Sequence, residues 1–252
     1  MQQKPLVDQQ AIWDGWAEVY DEWHAHEPVT APVDFLTKMV SQTNSARILE
    51  LGVGTGRVAA ALAEATAVPV FGLDISAEMI AKLRSNYPDA GVVATQADMS
   101  DVLPWQDLDL VYAVYSSLLN LTTAAQLRSC IKNVAAALQT GGHFVTENMY
   151  PSPTSVTWSP RMAVRSVSDD GIMFSASQSN FHEQTITMQE VKISTDGRVQ
   201  MYPIKMRYTT PPELDLLAEL HDLHLVSRFG GFNGSDFTRS STRFVSVYKK
   251  GE

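Results

Sequence analysis

The sequence predicts an α/β fold, a mostly parallel sheet with helices on both faces that carries an inserted antiparallel β-layer. Three observations predict it. Between residues 44 and 150, short apolar runs suited to buried strands alternate with helix-like segments. A glycine-rich turn, "LGVGTGR", joins the first strand to the first helix of that series. Between residues 151 and 210 the pattern changes to alternating apolar and polar residues, punctuated by the hairpin signals "DDG" and "TDG". The chain therefore divides into an N-terminal helical lid (1–43), an α/β core (44–150), the β-layer (151–210) and the end of the core (211–252).

The elements follow in order. "DQQAIWDGWAEVYDEWHAHE" is predicted as one helix, because Trp13, Trp16, Tyr20 and Trp23 recur at helical spacing as an aromatic stripe. The stripe packs on the body of the protein and can also close over a ligand. "ARILELG" is a buried strand and "GRVAAALAEA" a helix. "VPVFGLD" is the next strand, ending in Asp74, and "SAEMIAKLRSNYP" is a helix capped by Ser76. "AGVVATQADM" and "LDLVYAVYS" are the third and fourth strands. "AAQLRSCIKNVAAALQTGG" is a helix closed by Gly141 and Gly142, and "GHFVTENM" is the fifth strand. About four antiparallel strands follow, then the helix "PPELDLLAELHDL" and the strands "HLVSRFG" and "STRFVSVYKK".

Bulk composition narrows the partners. The chain of 252 residues is 44% hydrophobic and 19% charged, as expected of a globular protein. A net charge of -9 argues against nucleic acid, whose phosphates need a basic stripe. No apolar run approaches the ~20 residues that span a bilayer, and "MQQKPLVDQQ" has no signal core. The single cysteine, Cys130, forms no internal disulfide and suits a reducing cytoplasm. The expected partner is a small molecule, without nucleic acid or membrane; the oligomeric state is open.

The glycine turn matches neither common phosphate motif. It lacks the Gly-Lys-Ser/Thr of a P-loop. Gly52 and Gly54 satisfy the first two places of G-x-G-x-x-G, but Arg57 occupies the third and Gly56 comes one residue early. Glu50 at the entrance would repel a pyrophosphate and suits an ammonium. Asp74, ending the second strand, can accept from a ribose diol. Asp98 can accept from an exocyclic amine, and Met99 offers its backbone N–H. A ligand with a ribose, a base and a cationic amino-acid part but no phosphate is implied, and S-adenosylmethionine fits that description.

With those residues in view, the chain resembles the class I S-adenosylmethionine-dependent methyltransferases. "ILELGVGTGRVA" is similar to their acidic glycine loop through Glu50, Gly52, Gly54 and Gly56. "VFGLDISAEMIAKLR" is similar to the ribose motif through Asp74, with Ile75 and Met79 beside the adenosine. "TQADMSD" matches the adenine motif through Ala97, Asp98 and Met99. "LDLVYAVYSSLLNL" matches the fourth-strand motif, with Val114, Tyr115 and Asn120 near the methionine part. The resemblance implies a Rossmann-like seven-stranded sheet with its last strand antiparallel, S-adenosylmethionine as cofactor and S-adenosylhomocysteine as product.

The β-layer and "AEVYDEW" resemble the glycine N-methyltransferase-like and antibiotic-sugar N-methyltransferase branches, where the lid tyrosine approaches the reaction centre; Tyr20 takes that place. The layer is rich in aromatics and methionine, with Trp158, Met162, Met173, Phe174, Phe181, Met201, Tyr202 and Tyr208. That composition favours an aromatic natural-product acceptor of indole type, C- or N-methylated, with an amino sugar or amine as alternative. Substrate contacts are expected from Tyr20, Trp23, Trp158, Met173, Phe181 and Tyr208. Glu147 is the first candidate base and His182 the second, against readings as a backbone-bonded strand-end acid and a surface histidine. "YSSLLN" lacks the D/N/S-P-P-Y/F of amino-methylating nucleic-acid enzymes, and Cys130 lacks the Pro-Cys context of cytosine C5 enzymes. No metal is expected, since His24 and His26 do not share a helix face and His221 and His224 lie far from the ligand edge. Two other classes compete: an NAD-dependent oxidoreductase, which the register of Gly56 and Arg57 opposes, and a non-catalytic binder on the same fold.

Overall fold

The computed structural model describes residues 8–40, 47–151, 156–157 and 159–251. Helices α1 (Gln9–Trp16), α2 (Tyr20–Trp23) and α3 (Thr30–Val40) precede the sheet. Then come β1 (Ile48–Leu51), α4 (Arg57–Thr66), β2 (Val70–Asp74), α5 (Ala77–Asn86), β3 (Val92–Gln96) and β4 (Leu108–Ala113). A 3-10 turn (Ser117–Asn120), α6 (Ala124–Ala137) and β5 (Leu138–Met149) complete the core. The inserted layer is β6 (Arg161–Ser168), β7 (Gly171–Asn180), β8 (Thr185–Ser194) and β9 (Val199–Arg207), followed by α7 (Pro211–Glu219), β10 (Leu223–Phe229) and β11 (Arg243–Lys250).

The main sheet has seven strands in the order β10-β11-β5-β4-β1-β2-β3. Strands β1 to β5 run parallel, and β11 lies antiparallel between β5 and β10. The order reverses beside β1, so the carboxyl ends of β1, β2 and β4 open the crevice where such sheets take ligands. Alternating side chains build one core on each face. Leu49, Leu51, Val111, Ala113 and Phe144 point to the α6 and α7 side. Ile48, Leu110, Tyr112 and Val145 point to the α3 and α4 side.

The four-stranded sheet β6-β7-β8-β9 is antiparallel throughout, as its turn signals predict. Its β9 strand is fastened to α1. The Trp16 indole N–H donates to the Pro203 carbonyl at 3.1 Å, and the Gln9 amide donates to the Lys205 carbonyl at 3.0 Å. Tyr202 packs between Trp16 and Trp23, with ring centroids 5.0 and 5.2 Å away.

Three expectations change. The N-terminal stripe is two helices with a break at Ala17–Val19. The break lets α1 lie on β9 while α2 reaches the glycine loop, where Thr55 donates to Asp21 at 2.6 Å. Helix α3 has no counterpart among the predicted elements; Pro32 disguises it, yet a first-turn proline sacrifices no helical hydrogen bond. Helix α6 ends at Ala137, and Gly141 and Gly142 lie within β5. There the pairing with β4 shifts register, and a side chain on Gly142 would meet the Leu108 carbonyl at 2.8 Å.

Candidate active site

A cleft of ≈ 410 Å³ opens at the carboxyl edge of the sheet. Of the expected cofactor residues, Gly52, Gly54, Asp74, Ile75, Met79, Ala97, Asp98, Met99, Tyr115 and Asn120 line it, together with Tyr20 from the lid. Glu50, Arg57 and Val114 line an adjoining cavity of ≈ 30 Å³, which shares Tyr20, Gly52, Gly54, Tyr115 and Ser117 with the cleft. Gly56 lines neither. It caps α4 at φ +86, and a Cβ there would sit 2.6 Å from Leu83 Cγ, so its role is to bring α4 against α5.

The acids gather at the carboxyl edge of the sheet, where they line the two cavities. Glu50 is 3% exposed and accepts a 3.0 Å hydrogen bond from the Tyr112 hydroxyl. Burial pushes its carboxyl up to about 8, against a smaller downward pull from that bond. Asp74 is also held above the ordinary carboxylate range by burial, although the Ser76 and Gly54 amides each donate to it at 2.9 Å. Those two bonds fix the carboxylate plane at the tip of β2 and leave each oxygen a lone pair for a diol. Asp98 caps its own turn by accepting from the Ser100 amide at 2.7 Å. Gly52 (φ +70) and Gly54 (φ +54) keep the loop free of side chains where backbone must approach a ligand.

The lid meets the cleft at Tyr115. Tyr115 and Ser116 both adopt left-handed backbone, at φ 50 and 63, which costs of order 1–3 kcal/mol each and marks a site under functional constraint. The Tyr115 hydroxyl donates to the Pro28 carbonyl at 3.2 Å, Arg57 donates to the Glu27 carbonyl, and the Arg57 guanidinium lies 5.9 Å from the Tyr115 ring centroid. Tyr20 packs against His24 with ring centroids 4.4 Å apart and the planes tilted by 36°. Burial raises the Tyr20 phenol above its ordinary value, so it acts as a neutral dipole and aromatic face.

Glu147 is 2% exposed on β5. One oxygen meets the Arg243 guanidinium at 2.8 Å; the other is buried without a partner among the described residues. Its charge is felt by the Tyr115 phenol. Burial pulls the Arg243 guanidinium down, but the Glu147 carboxylate overrides it and leaves the group above its ordinary value.

The other expected residues scatter. His182 is exposed in the β7–β8 turn, with its backbone N–H on Asn180. Phe181 and Tyr208 pack with Val156, Ile186 and Met149 in a satellite cluster. Trp23 joins the lid cluster, and Met173 pairs with Lys192 on the inner face of the β-layer. Trp158 lies outside the described residues. Sequence reasoning missed Asp8, Gln9, Ser117, Leu121 and Gln126 in the cleft wall. Of these, Ser117 had a signal: it follows the fourth strand directly and closes on Gly52, whose Cβ would meet it at 3.0 Å.

Residues 48–142 match the model of the methyltransferase domain family. The CcbJ methyltransferase from Streptomyces caelestis is similar over 98% of this chain and 100% of its own, at 30% identity and a TM-score of 0.89. The chain belongs to the S-adenosylmethionine-dependent methyltransferases. It is an enzyme of the class I small-molecule branch and uses S-adenosylmethionine. The fold is also that of an S-adenosylmethionine-dependent methyltransferase from Clostridium acetobutylicum, at 16% identity and TM-score 0.80 over 95% of this chain and 99% of that one. CalS10, an amino pentose methyltransferase from Micromonospora echinaspora, shares it at 20% identity and TM-score 0.67 over 98% and 99% of the two chains. No curated protein sequence matches. Among the described residues of the methyltransferase, no group of three or more His, Cys, Asp or Glu is placed to hold a metal, and no helix is long and apolar enough to cross a membrane.

Proposed function

We propose that the enzyme methylates an amine nitrogen on a small, polar natural-product acceptor. The observation that carries this reading is the unpartnered, buried carboxylate oxygen of Glu147, whose charge reaches the Tyr115 phenol in the cleft wall. A buried acceptor without a donor is costly, and an amine N–H supplies the donor.

When bound, S-adenosylmethionine supplies an electrophilic methyl on a sulfonium, which becomes a neutral thioether after transfer. Glu50 would face the ammonium of its amino-acid part, Asp74 would hold the ribose, and Asp98 with the Met99 amide would read the adenine. Tyr20 and Tyr115 turn electron-rich faces toward positive charge. An acceptor nitrogen would supply the lone pair for the new N–C bond, and the C–S electron pair would stay with sulfur. The proton from nitrogen passes to Glu147, which pairs with Arg243 at 2.8 Å. The lid would restrict how an acceptor approaches the methyl, and such positioning supplies much of the rate of a displacement.

The inner face of the β-layer supports a polar acceptor over an indole. Ser175 donates to the buried Glu190, which also pairs with Arg165, and Lys192 pairs with Glu22 of the lid. Met162, Phe174 and Met201, part of the apolar count that favoured an indole, alternate onto the opposite face. An indole-type acceptor is the second reading, favoured by Trp13 and Tyr20 in the cleft wall. A methyl-transfer screen with S-adenosylmethionine across amino sugars, alkyl amines, indoles and phenols separates them. Turnover of amines sustains the proposal, turnover of indoles alone replaces it with the second reading, and cofactor binding without any transfer leaves a binder.

A further inference from the structure

Resting on the reading that Tyr115 turns its ring toward the cofactor's positive charge, we propose that Ser116 is the positioning residue that holds it there. Pairing between β4 and β5 ends at Ala113 and Thr146. On that edge of β5, the Glu147 carbonyl and the Met149 amide lie past the last paired residue of β4. Ser116 serves both. Its amide donates to the Glu147 carbonyl at 3.2 Å, and its Oγ accepts from the Met149 amide at 2.9 Å. A neighbouring strand would offer the Met149 amide a backbone carbonyl. The Ser116 carbonyl is committed elsewhere, accepting from the Leu119 amide at 2.9 Å in the 3-10 turn. The hydroxyl thus stands in for a strand carbonyl, and the chain can leave the sheet at Tyr115 while still fastened to β5.

The residue type at this place supports the same role. Ser116 sits at φ 63, directly after Tyr115 at φ 50. Glycine adopts such a backbone freely, whereas a Cβ disfavours it. A serine here carries the left-handed cost that glycine would avoid, and what its side chain adds is the bond to Met149. Tyr115 has two other restraints. Its hydroxyl donates to the Pro28 carbonyl at 3.2 Å, and the Arg57 guanidinium lies 5.9 Å from its ring centroid. Those contacts tie the tyrosine to the lid and to α4. Ser116 ties it to β5, the strand that carries Glu147. The ring and the candidate base are therefore set relative to one another through one side-chain hydroxyl.

Calorimetry with S-adenosylmethionine and S-adenosylhomocysteine tests this on the full chain without an acceptor. The two ligands differ only at sulfur, a methylated sulfonium against a neutral thioether, so the ratio of their affinities reads what faces that sulfur. Tyr115→Leu is expected to lower the ratio by ~3–10-fold, the size of a lost contact between a cation and an aromatic face. Ser116→Gly and Ser116→Ala both remove the hydroxyl and are expected to lower it by ~3–10-fold, with S-adenosylhomocysteine affinity within about twofold of wild type. Thermal melts separate positioning from stability. Ser116→Gly relieves the left-handed cost and loses one hydrogen bond, effects of similar size, so it is expected to melt within ~4 °C of wild type. A ratio unchanged in Tyr115→Leu overturns the placement of Tyr115, and the role of Ser116 with it. A ratio lowered by Tyr115→Leu but kept by both Ser116 variants overturns the role of Ser116 alone. So does a ratio lowered only in Ser116→Ala alongside a lower melt, which is the mark of a structural residue.

Discussion

Glu50→Gln is expected to make the ligand-free protein more stable and the enzyme worse. Glu50 is 3% exposed, and burial lifts its carboxyl from 4.5 to about 8. The folded state therefore holds a proton that the unfolded chain releases near its ordinary value. Stability from this group is fully present below about 4.5 and is lost as pH rises through 8. The gap between 4.5 and about 8, at 1.36 kcal/mol per decade of proton concentration, corresponds to about 5 kcal/mol at alkaline pH. Glutamine keeps an acceptor for the Tyr112 hydroxyl and carries no charge. Urea melts of both proteins at stepped pH should show near-equal stability at pH ~5 and a variant ahead by ~3–5 kcal/mol at pH ~9. Calorimetry should show the opposite cost, with S-adenosylmethionine bound ~10–100-fold more weakly by the variant. Wild-type affinity should tighten as pH rises toward 8, with proton release on binding. A stability difference that is flat with pH would refute the protonated, buried Glu50, and unchanged cofactor affinity would refute its place beside the ammonium.

Four further outcomes follow from the site. Glu147→Gln should lower kcat by ~10²–10⁴ while calorimetric S-adenosylmethionine affinity stays within about twofold; wild-type turnover would remove Glu147 as base. Arg243→Ala leaves Glu147 buried and unpaired, and because the arginine is half exposed the melt should report a loss of only ~1–3 kcal/mol, with kcat falling too. Asp21→Ala cuts the lid from both Thr55 and Asn86, so stopped-flow measurement should show faster cofactor release while the global melt moves by ~1–2 kcal/mol. Gly56→Ala drives a Cβ to 2.6 Å from Leu83 Cγ at φ +86, and its thermal melt should reveal a loss above ~2 kcal/mol.

Local chemistry made the cofactor half of the site legible. Strand ends, a glycine loop in the wrong register for pyrophosphate, and acids at Glu50, Asp74 and Asp98 are short-range features. Each is positioned by the parallel sheet that the same residues build. The acceptor half was less legible because it is assembled by alternation and by contacts between distant segments. Counting apolar residues in the β-layer cannot say which of two faces each one takes; strand register decides, and it puts Met201 outward and Tyr202 inward. The break between α1 and α2 is equally remote in origin. Nothing in "WAEVYDEW" ends a helix, yet Pro203 draws Trp16 one way and Thr55 draws Asp21 another. Glu147 could be picked out as a strand-end acid, but its pairing with Arg243 spans 96 residues and depends on β11 lying beside β5. The same antiparallel strand that closes the sheet thus supplies the cation that pairs with the candidate base. Completion of the fold and the Glu147–Arg243 pair therefore rest on one strand pairing, and if Glu147 is the base we propose, a perturbation of β11 should reach turnover before it reaches cofactor binding.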